Sequence, residues 1–229
     1  MYPLILLANR DEFYDRPTAP AARWKDQPEI YAGRDLVAGG TWLGASDDGR
    51  FAAVTNYREP GAARGELSRG KLVTDFLLSS DKPSEYLESI KDGTMWYAGF
   101  NLIVGQMKPD TSEVCYFSNR GKAIERLGSA IYGLSNHLLN TAWPKVTSGI
   151  QRFTELVTKS EISHEDCFEL LADETLASDE VLPDTGVGIE RERVLSPIFI
   201  RTPDYGTRSS TVLLIDNNFK LEFDEKVFV

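Results

Sequence analysis

The sequence predicts a mixed α+β fold in which strands and helices are grouped rather than alternating. Strand-like segments come first, a pair of helical segments follows, strands return, a second helix pair comes next, and three strand-like segments end the chain. Helices clustered in pairs do not supply the single crossover between neighbouring strands that a doubly wound sheet needs. With 229 residues and a hydrophobic content of 41%, the chain can bury a sizeable core, and we expect one domain over residues 1–229.

The first strand is predicted over residues 3–9, where aliphatic side chains follow one another. Four consecutive polar residues, Asn9-Arg10-Asp11-Glu12, come at the end of this run. We expect them to lie where the strand leaves the sheet, so that their side chains reach into a cleft while a rigid scaffold supports them.

Two further strands are predicted over residues 42–46 and 51–57, with Asp47-Asp48-Gly49 as a hairpin turn between them. The pair Gly39-Gly40 shortly before Trp42 indicates architecture rather than catalysis. Paired glycines permit a tight turn or a close approach of two backbone segments, and a tryptophan offers a large surface to bury.

The middle of the chain begins with a predicted helix over residues 70–79, whose apolar side chains recur on one helical face. A second short helix is expected from Pro83. Strand patterns then return over residues 98–106, 113–118 and 130–135, separated by segments of turn composition.

The last part of the chain contains the second helix pair. Pro144 suits the first turn of a helix that extends to about Lys159, and Ser163 resembles the N-terminal cap of a helix that ends near Asp173. The segment 178–193 is irregular, and strands are predicted over residues 194–201, 208–216 and 219–228.

Composition excludes several classes of partner. The net charge of -10 opposes non-specific attraction to nucleic acid or to anionic membrane surfaces. No apolar run is long enough to span a bilayer and no secretory signal is recognisable, so we expect a soluble, cytoplasmic protein. Two cysteines, Cys115 and Cys167, are too few for a disulfide framework or a metal site and are expected to pack in the core. We therefore predict neither a cofactor nor a metal.

Several motifs occur in an order and spacing that resemble those of the NRDE-domain family. The first is Asn9-Arg10-Asp11-Glu12 itself, and the others are Arg16-Pro17-Thr18, Gly39-Gly40-Thr41-Trp42-Leu43-Gly44, Leu134-Ser135-Asn136 and Tyr205-Gly206-Thr207-Arg208. The resemblance covers nearly the whole chain. It implies a four-layer αββα fold similar to that of N-terminal-nucleophile hydrolases.

Members of that family usually begin with Met-Cys in a strand shortly upstream of the position at which this sequence begins with Met1-Tyr2-Pro3. The resemblance therefore implies that the chain lacks its first strand together with the nucleophilic cysteine. An antiparallel return from that strand would place Arg10 and Asp11 beside the original N-terminus.

The resemblance also carries roles onto particular residues. It implies that Asp11 orients the α-amine that serves as the base, that Arg10 supports a thiolate, and that Asn136 stabilises the oxyanion, so these three are the predicted catalytic residues. The predicted substrate-binding residues are Asn9, Asn56 and Arg208. We expect five of these side chains to converge on one cleft, namely those of Arg10, Asp11, Asn56, Asn136 and Arg208.

Structural interpretations of the same residues stay open. An ion pair between Arg10 and either Asp11 or Glu12 that closes a strand is one alternative. Asn56 and Asn136 as turn residues whose side chains bond the backbone are another.

Two functions follow from the resemblance. The first is hydrolysis of an amide or acyl bond when the upstream cysteine is present, with the chain as written predicted to be inactive. The second is non-catalytic trafficking of haem or of a lipid or acyl ligand, processes with which some family members are associated. In both cases the expected partner is a small acyl, amide or haem-like molecule, and the oligomeric state is left open.

Overall fold

The computed structural model describes residues 2–63, 65–121, 123–159 and 161–229. The chain divides into two compact units. Unit 1 comprises Met1–Arg16, Ile131–Ser135 and Leu139–Val229, and unit 2 comprises Pro17–Ala130 and Asn136–Leu138.

The described helices and strands follow the grouped order that the sequence predicts. Their bounds, in chain order, are β1 Leu4–Phe13, β2 Thr18–Arg23, β3 Tyr31–Asp35, β4 Leu43–Ala45, β5 Arg50–Asn56, α1 Arg69–Leu78, α2 Pro83–Ile90, β6 Phe100–Gln106, β7 Glu113–Ser118, β8 Glu125–Arg126, α3 Pro144–Val157, α4 His164–Leu171, α5 Ile189–Val194, β9 Tyr205–Ile215 and β10 Leu221–Val227. Two short 3₁₀ helices lie at Lys91–Trp96 and Asp179–Val181. The mixed α+β class is therefore confirmed.

Unit 1 contains an antiparallel three-stranded sheet in the order β1-β9-β10. One face of this sheet packs against α3 and α4 through apolar side chains that include Ile5 and Leu7 from β1, Val212 and Leu214 from β9, and Cys167 from α4. Successive side chains of a strand point to opposite faces of the sheet. On β1, the odd-numbered residues up to Asn9 therefore face the helices. On β9, the even-numbered residues from Ser210 onward do so.

Unit 2 contains an antiparallel seven-stranded sheet in the order β2-β3-β4-β5-β6-β7-β8. Helices α1 and α2 cover one face of it, and Phe76, Leu87, Phe100 and Leu102 are completely buried in the core between them. Each unit thus supplies one sheet with an attached helical layer, which are the components that an αββα fold requires.

The predicted turns and caps are confirmed in detail. Gly49 adopts a φ of +80° in the hairpin between β4 and β5, as the Asp47-Asp48-Gly49 composition predicts. Gly39 has a φ of +78°, and a Cβ on Gly40 would lie 2.6 Å from the backbone carbon of Gly70, so the glycine pair provides both a turn and a close backbone approach.

The helix starts in unit 1 also agree with the sequence. Pro144 occupies the first turn of α3, and Ser163 caps α4 by accepting a hydrogen bond from the Asp166 backbone N–H at 3.1 Å. The carboxylate of Asp166 in turn accepts from the Ser163 backbone N–H at 3.2 Å, which completes a capping box.

Two of the predicted strands are wrong. In 130–135, Gly133 exchanges hydrogen bonds with Asn140, accepting from its backbone N–H at 2.8 Å and donating to its side chain at 2.9 Å, so the segment is a loop. In 194–201, Phe199 donates to Asp173 and Ile200 donates to the Thr207 hydroxyl, leaving only an isolated bridge at Arg201.

The sequence also missed β2 and β3, and α5 lies in a segment that was expected to be irregular. The position of the polar signature needs a correction as well. β1 continues through Asn9 and Glu12 to Phe13, so these residues lie within the strand rather than beyond its end. The last pair of the β1–β9 ladder is Phe13 with Tyr205. Their rings are in edge-to-face contact, with centroids 5.3 Å apart.

Candidate functional site

The polar residues of β1 lie at a β-bulge. Arg10 pairs with Ser209 and Asp11 pairs with Thr207, so that Arg208 is the extra residue on β9. A bulge locally disrupts the ladder and re-aims side chains, and bulges are over-represented next to active sites. The register shift thus places Arg208 at the same point of the ladder as Arg10 and Asp11, although Arg208 lies near the other end of the chain.

Asp11 is held in a defined position by Thr207. The Thr207 hydroxyl donates a hydrogen bond to Asp11 Oδ1 at 2.6 Å and accepts one from the Ile200 backbone N–H at 2.9 Å. Because Thr207 is itself buried, its hydroxyl has a fixed orientation. The carboxylate is therefore pre-oriented by protein groups, as a charged group that positions a reacting amine must be.

Arg208 is 7% exposed and anchors neighbouring backbone. Its Nη1 atom donates to the carbonyls of Phe13, at 3.2 Å, and Arg16, while its Nη2 atom donates to the carbonyl of Val229 at 3.2 Å. The Arg208 carbonyl accepts from the Phe228 backbone N–H at 2.8 Å. The guanidinium group thus ties the end of β1 to the last residues of the chain. Its predicted role in substrate binding stays a prediction.

Arg10 is 8% exposed and lies on the face of the sheet that points away from α3 and α4. A guanidinium group keeps its positive charge at any physiological pH, so Arg10 supplies a permanent cation on this face. Glu12 forms an ion pair with Arg16 at 3.7 Å. This is a different pair from the one left open by the sequence, and an ion pair of Arg10 with Asp11 or Glu12 stays a prediction.

Asn9 lies on the opposite, helix-covered face. Its amide nitrogen donates to the carbonyls of Leu171 at 2.8 Å and Ile198 at 3.0 Å, and its Oδ1 atom accepts from the Ser210 hydroxyl at 2.6 Å. These bonds use both amide hydrogens, so the position of Asn9 is set by packing of β1 against the end of α4. Its predicted contact with a substrate stays a prediction.

The two predicted asparagines of unit 2 are neighbours. Asn136 donates from Nδ2 to the carbonyl of Asn56 at 3.0 Å, and its own carbonyl accepts from the Arg58 backbone N–H at 2.7 Å. Both interactions are of the backbone-bonding kind that turn residues make. The structure therefore brings Asn56 and Asn136 together in unit 2, while their convergence with the residues of unit 1 stays a prediction.

A pair of aromatic residues that is not among the predicted site residues lies beside these asparagines. The Tyr57 hydroxyl and the His137 Nε2 atom are 2.7 Å apart, and the two rings are 4.9 Å apart at their centroids. The available signal was adjacency, because Tyr57 follows Asn56 and His137 follows Asn136 in the sequence.

Neither cysteine has the properties of a nucleophile. Cys115 lies in β7 and Cys167 in α4, and both are completely buried. Burial in apolar surroundings raises the pKa of each thiol to about 11, so the reactive thiolate is scarce at neutral pH. The expectation that both cysteines pack in the core is confirmed.

The described part of the chain contains no group of three or more His, Cys, Asp or Glu residues arranged to hold a metal ion. Among its helices, none combines the length and apolar character needed to cross a membrane.

Comparison with known sequences gives matches along almost the entire chain. The family model described as Transport and Golgi organisation 2 matches residues 1–229. The Transport and Golgi organization protein 2 homolog of Bos taurus is 40% identical over 240 residues, which cover 98% of this chain and 86% of the relative. Transport and Golgi organization protein 2 of Drosophila melanogaster is 30% identical over 249 residues, with the same coverage of 98% and 86%.

Comparison with solved structures gives a likeness to the Caenorhabditis elegans ortholog of N-acylethanolamine-hydrolyzing acid amidase. The TM-score is 0.52 at 12% sequence identity, and the match covers 97% of this chain and 94% of that chain. That protein has an N-terminal-nucleophile hydrolase fold. The likeness confirms the fold that the sequence motifs predict.

Proposed function

The chain belongs to the Transport and Golgi organisation 2 family, and from that premise we propose that it provides the substrate site of an N-terminal-nucleophile hydrolase that cleaves an amide or acyl bond. The nucleophile is the cysteine that the family resemblance implies upstream of residue 1. In the described residues β1 is an outer strand of its sheet, and a preceding antiparallel strand would pair there.

The observation that carries the proposal is the pre-oriented carboxylate of Asp11 at the β1–β9 bulge. In this type of hydrolysis an α-amine removes the proton of the thiol, the thiolate attacks the carbonyl carbon, the amine or alcohol leaves, and water releases the acyl group. Asp11 would hold the α-amine by a charge-assisted hydrogen bond, and the Thr207 hydroxyl at 2.6 Å keeps the carboxylate in place. Arg10 adds a buried cation that stabilises a thiolate or an anionic substrate group.

The oxyanion of the reaction needs hydrogen-bond donors, and Asn136 is suited to provide one. The Nδ2 atom of Asn136 carries two hydrogens, and its bond to the Asn56 carbonyl uses one of them. A neutral amide of fixed orientation is suited to stabilise developing negative charge on a carbonyl oxygen. We propose this role for Asn136 and a substrate contact for Asn56.

Kinetics on the native protein, including any residues that its gene encodes upstream of residue 1, tests the proposal. N-acylethanolamines and a fluorogenic fatty-acyl amide are suitable substrates, because the structurally similar amidase is named for the first of these classes. Asp11→Asn should lower kcat/KM by at least about 100-fold, the lower range for loss of acid–base assistance.

The matched control for that experiment is Asp15→Asn, which changes an exposed carboxylate in the turn after β1. This variant should keep the wild-type rate. Hydrolysis that survives Asp11→Asn, or a wild type that cleaves neither substrate, contradicts the proposal.

The burial of both thiols favours a second function, that of a carrier which binds its ligand without cleaving it. Because Cys115 and Cys167 are buried with raised pKa values, the described residues contain no reactive thiolate. The 229-residue chain by itself should therefore bind an acyl, amide or haem-like molecule without turnover, as a carrier does. Titration with dodecanoate and with haem, combined with a product assay, distinguishes binding alone from hydrolysis. For either function, we propose the cytoplasm as the location.

A further inference from the structure

Four consecutive polar residues of β9, from Thr207 to Ser210, are used very differently. The Thr207 hydroxyl bonds Asp11 and Ile200, the Arg208 guanidinium group bonds backbone carbonyls, and the Ser210 hydroxyl bonds Asn9. By contrast, the Ser209 Oγ atom is buried and has no hydrogen-bond partner in the described chain. Ser209 as a residue is only 4% exposed.

The direction of the Ser209 side chain follows from its neighbour. Ser210 bonds Asn9, which in turn bonds the carbonyl of Leu171 at the end of α4, so Ser210 points towards the helices. Successive side chains of a strand point to opposite faces, so Ser209 points away from the helices, as its cross-strand partner Arg10 does. Directly opposite residues of an antiparallel pair have adjacent side chains.

An orphaned hydroxyl at such a position is unusual. Buried polar side-chain atoms nearly always have a partner, and leaving one without a partner destabilises the folded state. Alanine would fill the same strand position without that cost. A serine there is consistent with an oxygen atom of a ligand that completes its bonding.

We propose that Ser209 positions the substrate by donating a hydrogen bond to a carbonyl or carboxylate oxygen of an acyl ligand. This inference rests on the proposed function, because it assigns the ligand oxygen to the same face of the sheet as Arg10. The cross-strand neighbours of Ser209 are Arg10 on β1 and the half-exposed, aliphatic Val227 on β10. A cation on one side and an apolar group on the other match a molecule with a polar oxygen head and a hydrocarbon body, which is the chemistry of a fatty-acyl group.

Dodecanoate is a suitable probe, because it carries a carboxylate and an alkyl chain and its binding does not require catalysis. Calorimetry measures its affinity for the wild type and for Ser209→Ala, and thermal unfolding without ligand measures their stability. We expect Ser209→Ala to weaken dodecanoate binding by about tenfold, the effect of one hydrogen bond. The same variant should have an unchanged or raised Tm, because it removes an unsatisfied buried hydroxyl.

Ser210→Ala is the matched control on the opposite face. It removes the hydrogen bond to Asn9 and should lower the Tm by about 2–4 °C, with dodecanoate affinity unchanged. Ser209→Ala should thus lose affinity without losing stability, whereas Ser210→Ala should lose stability without losing affinity. This contrast distinguishes a ligand-binding hydroxyl from a structural one.

The outcomes separate this inference from the proposed function. Unchanged dodecanoate affinity in Ser209→Ala overturns the inference even if the wild type hydrolyses amides, and indicates that an ordered water satisfies the hydroxyl. A wild type that binds no dodecanoate, or a Tm of Ser209→Ala that falls as far as that of Ser210→Ala, also overturns it. Ser209-dependent binding by a native protein that hydrolyses neither substrate supports the inference and contradicts the hydrolase.

Discussion

The hydroxyl of Thr207 donates a hydrogen bond of 2.6 Å to the carboxylate of Asp11, a residue 196 positions earlier in the sequence. The bond lies where the pairing of β1 and β9 changes register, and it connects two of the motifs by which the family is recognised. A carboxylate that a buried hydroxyl holds in place needs little reorganisation when a positively charged partner arrives. The relationship gives a structural role to the threonine of Tyr205-Gly206-Thr207-Arg208.

Replacing Thr207 with valine tests this relationship. Thr207→Val has nearly the same shape but can neither donate to Asp11 nor accept from the Ile200 backbone N–H. We expect stability to fall by about 1–3 kcal/mol, since a buried N–H loses its partner, and hydrolysis or ligand binding to weaken as Asp11 loses its orientation. Urea unfolding and the substrate assay measure both effects. Thr207→Ser keeps the hydroxyl and should keep both properties; equal losses in the two variants would contradict this account.

Asn9 should behave as a structural residue in unfolding experiments. Asn9→Ala leaves the carbonyls of Leu171 and Ile198 and the hydroxyl of Ser210 without their partner. The expected loss is about 2–3 kcal/mol, because several buried polar groups are affected. Asn217→Ala, at an exposed position in the turn between β9 and β10, is the control and should leave stability nearly unchanged. Comparable stability of the two variants would show that the Asn9 bonds contribute little.

Arg50 should be essential for the stability of unit 2. Its buried guanidinium group donates to the Phe76 carbonyl, the Ser79 hydroxyl and the Asp81 carbonyl, and lies 4.2 Å from the centre of the Phe76 ring. Burial lowers the pKa of Arg50 from its usual value, although the group stays charged. Arg50→Met should cost about 2–4 kcal/mol, because the acceptors at the end of α1 lose their donor.

Denaturant unfolding measures that cost, and Arg23→Met provides the contrast for Arg50. Arg23 forms an exposed ion pair with Asp47 at 2.5 Å, and exposed pairs contribute little to stability. Its substitution should therefore barely change the unfolding midpoint. If the unfolding midpoint of Arg50→Met were as high as that of Arg23→Met, the predicted role of Arg50 in stability would be wrong.

Acid should weaken the start of α4. The ammonium group of Lys159 at 2.5 Å, together with Ser163, lowers the pKa of the partly exposed Asp166 carboxyl to about 2. Since this value lies below the unfolded value of about 3.9, the ionised group stabilises the folded state above that pH, and its contribution disappears as the pH falls towards 2. NMR titration of the Asp166 carboxyl should give a midpoint near pH 2. An unshifted midpoint would show that the capping interaction does not favour the charged form.

Much of the fold could be predicted because its signals are local. The capping box at Ser163, the proline that opens α3 and the glycine turn at Gly49 each depend on a few neighbouring residues. β2 was missed because its sequence Thr-Ala-Pro-Ala-Ala-Arg is poor in strand-forming residues and contains Pro20. The strand is tolerated because it lies at the outer end of its sheet, where proline need not donate to a neighbour.

The candidate site was predictable in part. The sequence order of motifs indicated that Arg10, Asp11 and Arg208 belong together, and the β1–β9 pairing places them at one bulge. The sequence does not reveal which acceptor each of these side chains bonds. Long-range packing determines which backbone carbonyls accept hydrogen bonds from Arg208 and Asn9. These bonds use donor groups that were expected to face a substrate.

Mass spectrometry of the native protein and of its proteolytic peptides, after reaction with an acyl-type probe, tests the central claim most directly. We predict one acyl group per chain on a peptide upstream of residue 1, its loss in Asp11→Asn, and no modification of Cys115 or Cys167, whose thiol pKa values are raised to about 11. A native protein that takes up no acyl group, or that carries it on Cys115 or Cys167, would contradict the assignment of an N-terminal-nucleophile hydrolase.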